Sequence, residues 1–309
     1  MNAGDNVKAV TMVVDDEQIV QESVSRILEE IGFRVDVASR VDQALNLMKT
    51  NKYDLIFTDL MMPDRNGMEL VETVAKNYPD TGVIMFTGYP SVESAVGSIK
   101  LGAIDYLPKP FNPEQLVDIA ERALNNVTTL RRDKEAQKIY DEAEKALSSS
   151  LDLKKILDLI CHSSRDLLKV KGTSLLIRQK DGPFFEFAAS DGLSDNYVTK
   201  GALDVTRSIA EVQATGESFY VDHASFDDKL QYPEAAREEG VMSILSYPLK
   251  VRGSVIGCLR FYSADDRKFD GKEMDLIRKF SQQSAMAIEN AILYETMKKD
   301  IEGLKKYMA

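Results

Sequence analysis

A doubly wound α/β domain joined by a helix to an α+β domain is the fold the sequence predicts, on three observations. The first 126 residues hold five short apolar runs, and each is followed by a segment of helical periodicity. Three of these runs stop on polar residues: Asp15-Asp16 after VTMVV, Asp59 after DLIFT, and Thr87 after GVIMF. Beyond residue 149 the rhythm changes to paired strands with tight turns and a helix at either end.

The first strand, 10–14, precedes a helix at 17–30 whose Ile19, Val20, Val24, Ile27, Leu28 and Ile31 share one face. Gly32 closes it. Strand 33–38 leads to helix 41–50, with Ser39 as a cap candidate. The stretch 53–67, YDLIFTDLMMPDRNG, organises the rest. Its strand at 54–58 is short and apolar, which suits a central parallel position buried on both faces. A loop with Pro63 and Gly67 then enters helix 68–77. Strand 82–86 is followed by helix 91–100, just after Pro90. Strand 103–107 runs into Pro108-Lys109-Pro110 and helix 113–125. Right-handed crossovers bring the carboxyl ends of all five strands to one edge, where open α/β sheets bind their ligands.

That edge receives Asp15, Asp16, Asp59 and Thr87, with Lys109 on the loop after the last strand. Carboxylates crowded together raise one another's pKa unless a cation sits among them. An oxygen-only set of this kind suits Mg2+. The pattern of Asp15-Asp16, Asp59 in DLMMPDRNG, Thr87-Gly88 and Lys109-Pro110 resembles the receiver domain of bacterial two-component response regulators, over residues 6–126. The resemblance implies a five-stranded sheet of order 2-1-3-4-5 and phosphorylation of Asp59 by a partner histidine kinase. It further implies Mg2+ held directly by Asp16, Asp59 and the Met61 carbonyl, and through water by Asp15. Lys109 would pair with the phosphoryl group, Thr87 would move to bond it, and Tyr106 matches the aromatic switch position. The chemistry agrees, since an aspartate is a nucleophile at neutral pH without an activating base. Phosphoryl transfer needs mainly alignment and charge neutralisation.

From Asn125 the chain turns polar and helical, without Gly or Pro, to Ser150. Leu116, Ala120, Ala123, Val127 and Leu130 keep a 4-3 spacing, and Ile139, Ala143, Ala146 and Leu147 resume it after a slip. A linker helix over 127–148, able to pair with its twin, is the expectation. Residues 149–293 then give a helix at 151–170 and strands at 173–178 and 184–190 around a turn at 180–182. A helical piece at 204–215, a strand at 218–222 and a helical stretch at 226–239 come next. Strands 242–251 and 254–263 form a hairpin on Arg252-Gly253, and a long helix starts at Gly271. Such a pattern means an antiparallel sheet with helices on one face.

This half resembles a GAF domain, carried by LDLKKILDLI, ATGESFYVDHAS, ILSYPLKVRGSVIGCLRFYS and FDGKEMDLIRKFSQQSAMAIENA. The resemblance implies a small-ligand or dimerisation module and leaves the ligand unknown. Cys161 and Cys258 sit in apolar elements and read as core, while His162 and His223 are too few for a metal site. Residues 294–309 extend the last helix, with Met297, Ile301, Leu304 and Met308 spaced for pairing in a dimer.

Composition sets the outer bounds. Net charge −11 argues against nucleic acid, which needs clustered Lys and Arg. No apolar run reaches the roughly 18 residues that span a bilayer, the amino terminus lacks a signal-peptide pattern, and two distant cysteines suit reduced thiols in the cytoplasm. The expectation is a phosphoacceptor signalling protein rather than a dedicated enzyme, acting on a downstream protein by contact and not on DNA. The alternative is a sensor whose GAF pocket binds a nucleotide or metabolite and is coupled to the receiver.

Overall fold

Five strands, β1 (Ala9–Val14), β2 (Phe33–Ala38), β3 (Leu55–Asp59), β4 (Gly82–Thr87) and β5 (Asp105–Pro108), form a parallel sheet of order β2-β1-β3-β4-β5 in the computed structural model. The structure describes residues 7–63, 65–88, 91–178, 184–199, 203–204, 209–224, 230 and 232–308. The chain divides into two units, 1–134 and 135–309.

In the first unit β3 and β4 are buried at every residue, as both-face burial requires. Helices α1 (Gln18–Glu30) and α5 (Pro113–Ser149) cover one face, setting Val24, Leu28, Leu116, Ala120, Ala123 and Val127 against Val13, Phe57, Ile84 and Phe86. Helices α2 (Val41–Thr50) and α3 (Gly67–Asn77) cover the other, where Val41, Ala44, Leu70 and Val74 meet Met12, Ile56 and Met85. Each Val, Leu, Ile, Phe or Met among them contributes about 1.5–3 kcal/mol of burial. Helix α4 (Val92–Leu101) is different: Ser98 is its buried residue, and Val92, Val96 and Ile99 stay exposed. The predicted stripe on α5 stops one step early, because Leu130 is exposed while Val127 is buried. The helix has outrun the sheet that would cover it.

The second unit is a six-stranded antiparallel sheet of order β8-β7-β6-β11-β10-β9. Its strands are β6 (Gly172–Arg178), β7 (Phe184–Asp191), β8 (Leu203–Asp204), β9 (Phe219–Val221), β10 (Ser243–Val251) and β11 (Ser254–Ser263). The last turns of α5, with α6 (Leu153–Leu168) and α10 (Gly271–Met308), pack Ala143, Leu147, Ile156, Ile160, Phe280 and Ile288 against Leu245, Leu259 and Phe261. Contrary to the one-face expectation, short helices α7 (Asp195–Val198), α8 (Ala210–Thr215) and α9 (Pro233–Glu239) also pack, through Tyr197, Val212 and Ala236. They meet Ile244, Tyr262, Leu176 and Cys258. Alternation along β11 explains this, since both of its faces carry large side chains and both need cover.

Two boundaries are corrected. Helix 204–215 is shorter than predicted: Leu203–Asp204 pairs with Phe184 and Phe185 as an edge strand, and the helix is Ala210–Thr215. The helix predicted at 226–239 is observed as Pro233–Glu239, where Pro at the first turn starts it. The turn at 180–182, Pro90, and residues 226–229 lie outside the described residues. At the β10–β11 hairpin Arg252 and Gly253 both have positive φ, 48° and 83°, the pair of conformations a type I′ turn demands.

Candidate functional site

The site is built where β1, β3 and β4 end. Asp59 closes β3, and its Oδ1 accepts a hydrogen bond from Lys109 Nζ at 2.8 Å while Oδ2 accepts from the Met61 N–H at 2.7 Å. Asp15, immediately beyond β1, accepts from the same ammonium through Oδ2 at 2.6 Å and from the Glu17 N–H through Oδ1 at 2.9 Å. One lysine therefore bridges two buried carboxylates, with side-chain exposures of 18% for Lys109, 1% for Asp15 and 8% for Asp59. Lys109 is placed by its own N–H, which donates to the Thr87 carbonyl at 2.7 Å, and by the Phe86 ring 4.7 Å from Nζ. Thr87 is the buried last residue of β4.

Close packing explains the loop after Asp59. A Cβ on Gly67 would lie 1.9 Å from the Asp59 carbonyl oxygen, so the start of α3 can approach the site only without a side chain. The Gly67 N–H donates to the Leu60 carbonyl at 2.9 Å, and Asn66 caps α3 by accepting from the Met68 N–H. On the opposite side Gln21 Nε2 donates to the Asp15 and Ala38 carbonyls at 2.5 and 3.2 Å. Gln21 and Gly67 were missed as site residues; for Gly67 the signal was its place just past a strand-end carboxylate.

Burial pushes the Asp15 carboxyl above its usual range, by more than the Lys109 and Glu17 hydrogen bonds pull it down. Burial alone would lower Lys109, but its bonds to Asp15 and Asp59 win and leave it raised. The lysine is thus held as an ammonium, the countercharge of the pair.

The expected cluster of three carboxylates is not gathered. Asp15 and Asp59 converge on Lys109, whereas Asp16 is exposed, and no three His, Cys, Asp or Glu side chains among the described residues come close enough to hold a metal ion. Successive side chains of an extended chain point to opposite sides, and here Asp15 is the one that faces Lys109. Two buried carboxylates sharing one ammonium still carry excess negative charge on oxygen donors, which fits a hard dication in charge and ligand type.

Tyr106, on β5, places its hydroxyl 3.1 Å from Ser94 Oγ on α4. Ser94 also belongs to the capping box with Ser91 that starts that helix. The sequence reading had Tyr106 but not its partner.

In the second unit the two cysteines are fully buried. Burial pushes Cys161 up to about 12 and Cys258 up to about 11, so both remain thiols. His162 is a surface residue between Asp166 and Asp191, and His223 sits at a positive φ of 50°. A polar cluster escaped the sequence reading: Arg260, 2% exposed, donates from Nε to Ser246 Oγ at 3.1 Å. Beside it the Tyr262 hydroxyl is 2.8 Å from Ser174 Oγ, and Tyr197 meets the Tyr262 ring edge-on. These residues share the sheet face under the short helices.

Comparison with known proteins agrees with this division. Residues 11–121 match the response regulator receiver domain, and residues 150–289 match the GAF domain. The nitrogen assimilation regulatory protein NtrX of Azorhizobium caulinodans is 35% identical over 130 residues, 41% of this chain and 29% of that protein. The response regulator protein PilR of Pseudomonas aeruginosa is 33% identical over 113 residues, 37% of this chain and 25% of that one. The chain therefore spans about a third or less of the length of the curated relatives it matches. A CheY-like receiver domain protein from Methanospirillum hungatei, known from a crystal structure, is 32% identical; the match covers 39% of this chain and 96% of that one, with a TM-score of 0.38.

Proposed function

We propose that this chain, a response-regulator receiver domain followed by a GAF domain, accepts a phosphoryl group on Asp59 from a partner histidine kinase in the cytoplasm and relays the change by protein contact. The observation that carries this reading is the Lys109 ammonium, bonded at once to Asp59 and Asp15 where their strands end. An Asp59 carboxylate oxygen attacks phosphorus in line, the O–P bond forms, and the P–N bond to the donor imidazole breaks. Lys109 neutralises charge on the incoming group and holds both carboxylates in place. Mg2+, when bound, supplies further neutralisation of the phosphoryl oxygens. Asp16, Asp59 and the Met61 carbonyl would hold it, with Asp15 through water.

Thr87, whose carbonyl accepts the Lys109 N–H, carries the hydroxyl we assign to bonding a phosphoryl oxygen. The Tyr106–Ser94 bond ties β5 to the start of α4, the helix with the least buried apolar surface of its sheet. Such an element is suited to a two-state response. The output we assign is altered pairing of two chains, or of the chain with a downstream signalling protein, along the linker and terminal helices. Tyr294, Met297 and Ile301 are exposed on α10 at the spacing pairing needs, while the side chains of Leu304 and Met308 lie outside the described residues. The acidic balance of the chain favours a protein partner over DNA.

Incubation with labelled acetyl phosphate and Mg2+ tests the site. The wild type is expected to incorporate an acid-stable, alkali-labile label that Asp59→Asn abolishes; undiminished Mg2+-dependent labelling of Asp59→Asn would sink the assignment. The buried Arg260–Ser246–Ser174–Tyr262 cluster favours a second reading, in which the GAF domain binds a nucleotide or metabolite and is coupled to the receiver. Native mass spectrometry of the purified chain, showing a bound small molecule lost on denaturation, would support it.

A further inference from the structure

Helix α5 loses its apolar anchorage after Val127, yet it stays tied to the first unit by two cations one turn apart. Arg131 Nη1 donates to Asp54 Oδ1 at 2.5 Å, and its Nε donates to the Asp80 carbonyl at 2.9 Å. Lys134 Nζ donates to Asp80 Oδ1 at 2.9 Å and to the Pro79 carbonyl at 3.3 Å. Asp54 is more than a partner for arginine, because its other oxygen, Oδ2, accepts from the Val10 N–H at 2.7 Å. Its backbone carbonyl accepts from the Gly82 N–H at 2.9 Å. Val10 lies at the start of β1, Asp54 just before β3, and Asp80 just before β4. The other ends of those three strands carry Asp15, Asp59 and Thr87.

We infer that Arg131 and Lys134 are positioning residues that latch the linker helix onto the amino-terminal ends of the three strands whose carboxyl-terminal ends form the phosphoacceptor site, so that the helix responds to the site through the sheet. The planar guanidinium fork fixes direction as well as distance, whereas lysine acts as a point charge. Strands of five or six residues reach only about 17–20 Å, and hydrogen-bonded strands move as units. A cavity of about 770 Å³, lined in part by Tyr53, Tyr78 and Arg131, opens beside the cluster. Water therefore reaches the bonds, and they can break without opening the core. The part of this inference that concerns response rests on Asp59 being the phosphoacceptor; the latch itself does not.

The test is amide hydrogen exchange on the full chain, with and without beryllofluoride and Mg2+ as the probe of the phosphorylated state. The double variant Arg131→Met with Lys134→Met is expected, without beryllofluoride, to raise exchange over residues 128–140 roughly tenfold and leave the strands protected. In the wild type beryllofluoride should change exchange over both 84–96 and 128–140. In the double variant it should change only 84–96. Wild-type exchange and response at 128–140 in the double variant would overturn the latch. No beryllofluoride effect at 84–96 in the wild type would instead overturn the Asp59 reading, while the probe-free comparison still decides the latch. If the double variant loses protection throughout residues 7–127, Lys134→Met alone decides: it removes the bonds to the Asp80 carboxylate and the Pro79 carbonyl and leaves Arg131 on Asp54. Raised exchange confined to 128–140 in that variant supports the latch, and wild-type exchange there overturns it.

Discussion

At the scale of single residues, the site balances two buried carboxylates against one ammonium, and that balance has consequences for stability. Because the folded pKa of Asp15 is above its ordinary 3.8, the native state binds its proton more tightly than the unfolded chain does. Stability from this group therefore falls as pH rises through the window from 3.8 to the folded value, and stays lower above it. Asp15→Asn, which keeps one acceptor oxygen and has no charge to desolvate, should raise the stability of the first unit at pH 7. The gain should shrink near pH 3.8. Thermal melts at both pH values check this, and a lower melting temperature for the variant at pH 7 would contradict it. Lys109 has the same sign at higher pH: its raised pKa gives stability that is present below 10.5 and lost as pH climbs through the folded value. The cysteines supply a simpler prediction. With thiols held protonated and buried, neither should react with a thiol reagent until the GAF domain unfolds, so labelling should track unfolding in urea.

Elements carry the site only if their ends fit together. Gly67→Ala forces a methyl into the Asp59 carbonyl, so the start of α3 or the end of β3 must shift. The expected cost is about 2 kcal/mol or more by urea unfolding, with phosphorylation slowed as well; an unchanged unfolding midpoint would show that the loop gives way freely. Ser94→Ala removes both the bond to Tyr106 and half of the α4 capping box. A loss of about 1 kcal/mol is expected locally, read as faster hydrogen exchange confined to α4. Uniform exchange across the sheet would argue against α4 as a separately mobile element. Helix α4 is the place to look because its apolar residues Val92, Val96 and Ile99 are not covered by its own unit.

For the whole molecule the prediction concerns assembly. Light scattering with beryllofluoride and Mg2+ should show a change in molar mass or shape in the wild type and none in Asp59→Ala. A mass that stays monomeric under both conditions would sink pairing through the linker and α10, and a constant dimer would move the switch inside the dimer. The fold needed for such coupling is economical in one respect: a single helix, Pro113–Ser149, contributes Leu116 to Val127 to one core and Ala143 and Leu147 to the other.

The strand order 2-1-3-4-5 was what the receiver resemblance implied; the sequence by itself predicted an α/β unit followed by an α+β unit, with Asp15, Asp59, Thr87 and Lys109 at one sheet edge. It could do so because these rest on local patterns: apolar runs of fixed period, turn residues at their ends, and crossovers of one hand. Tertiary structure alone decided that Asp15 rather than Asp16 shares the lysine with Asp59, and that Tyr106 meets Ser94. It also decided that both faces of the GAF sheet are covered, and that Arg131 reaches Asp54 across 77 residues of chain. Those outcomes depend on which side chains arrive at one point from distant segments, and on how much room burial leaves there. Charge shows the limit most clearly: Arg131 and Lys134 lie in the polar helical stretch after Asn125, and only folding puts two aspartates and the starts of three strands beneath them.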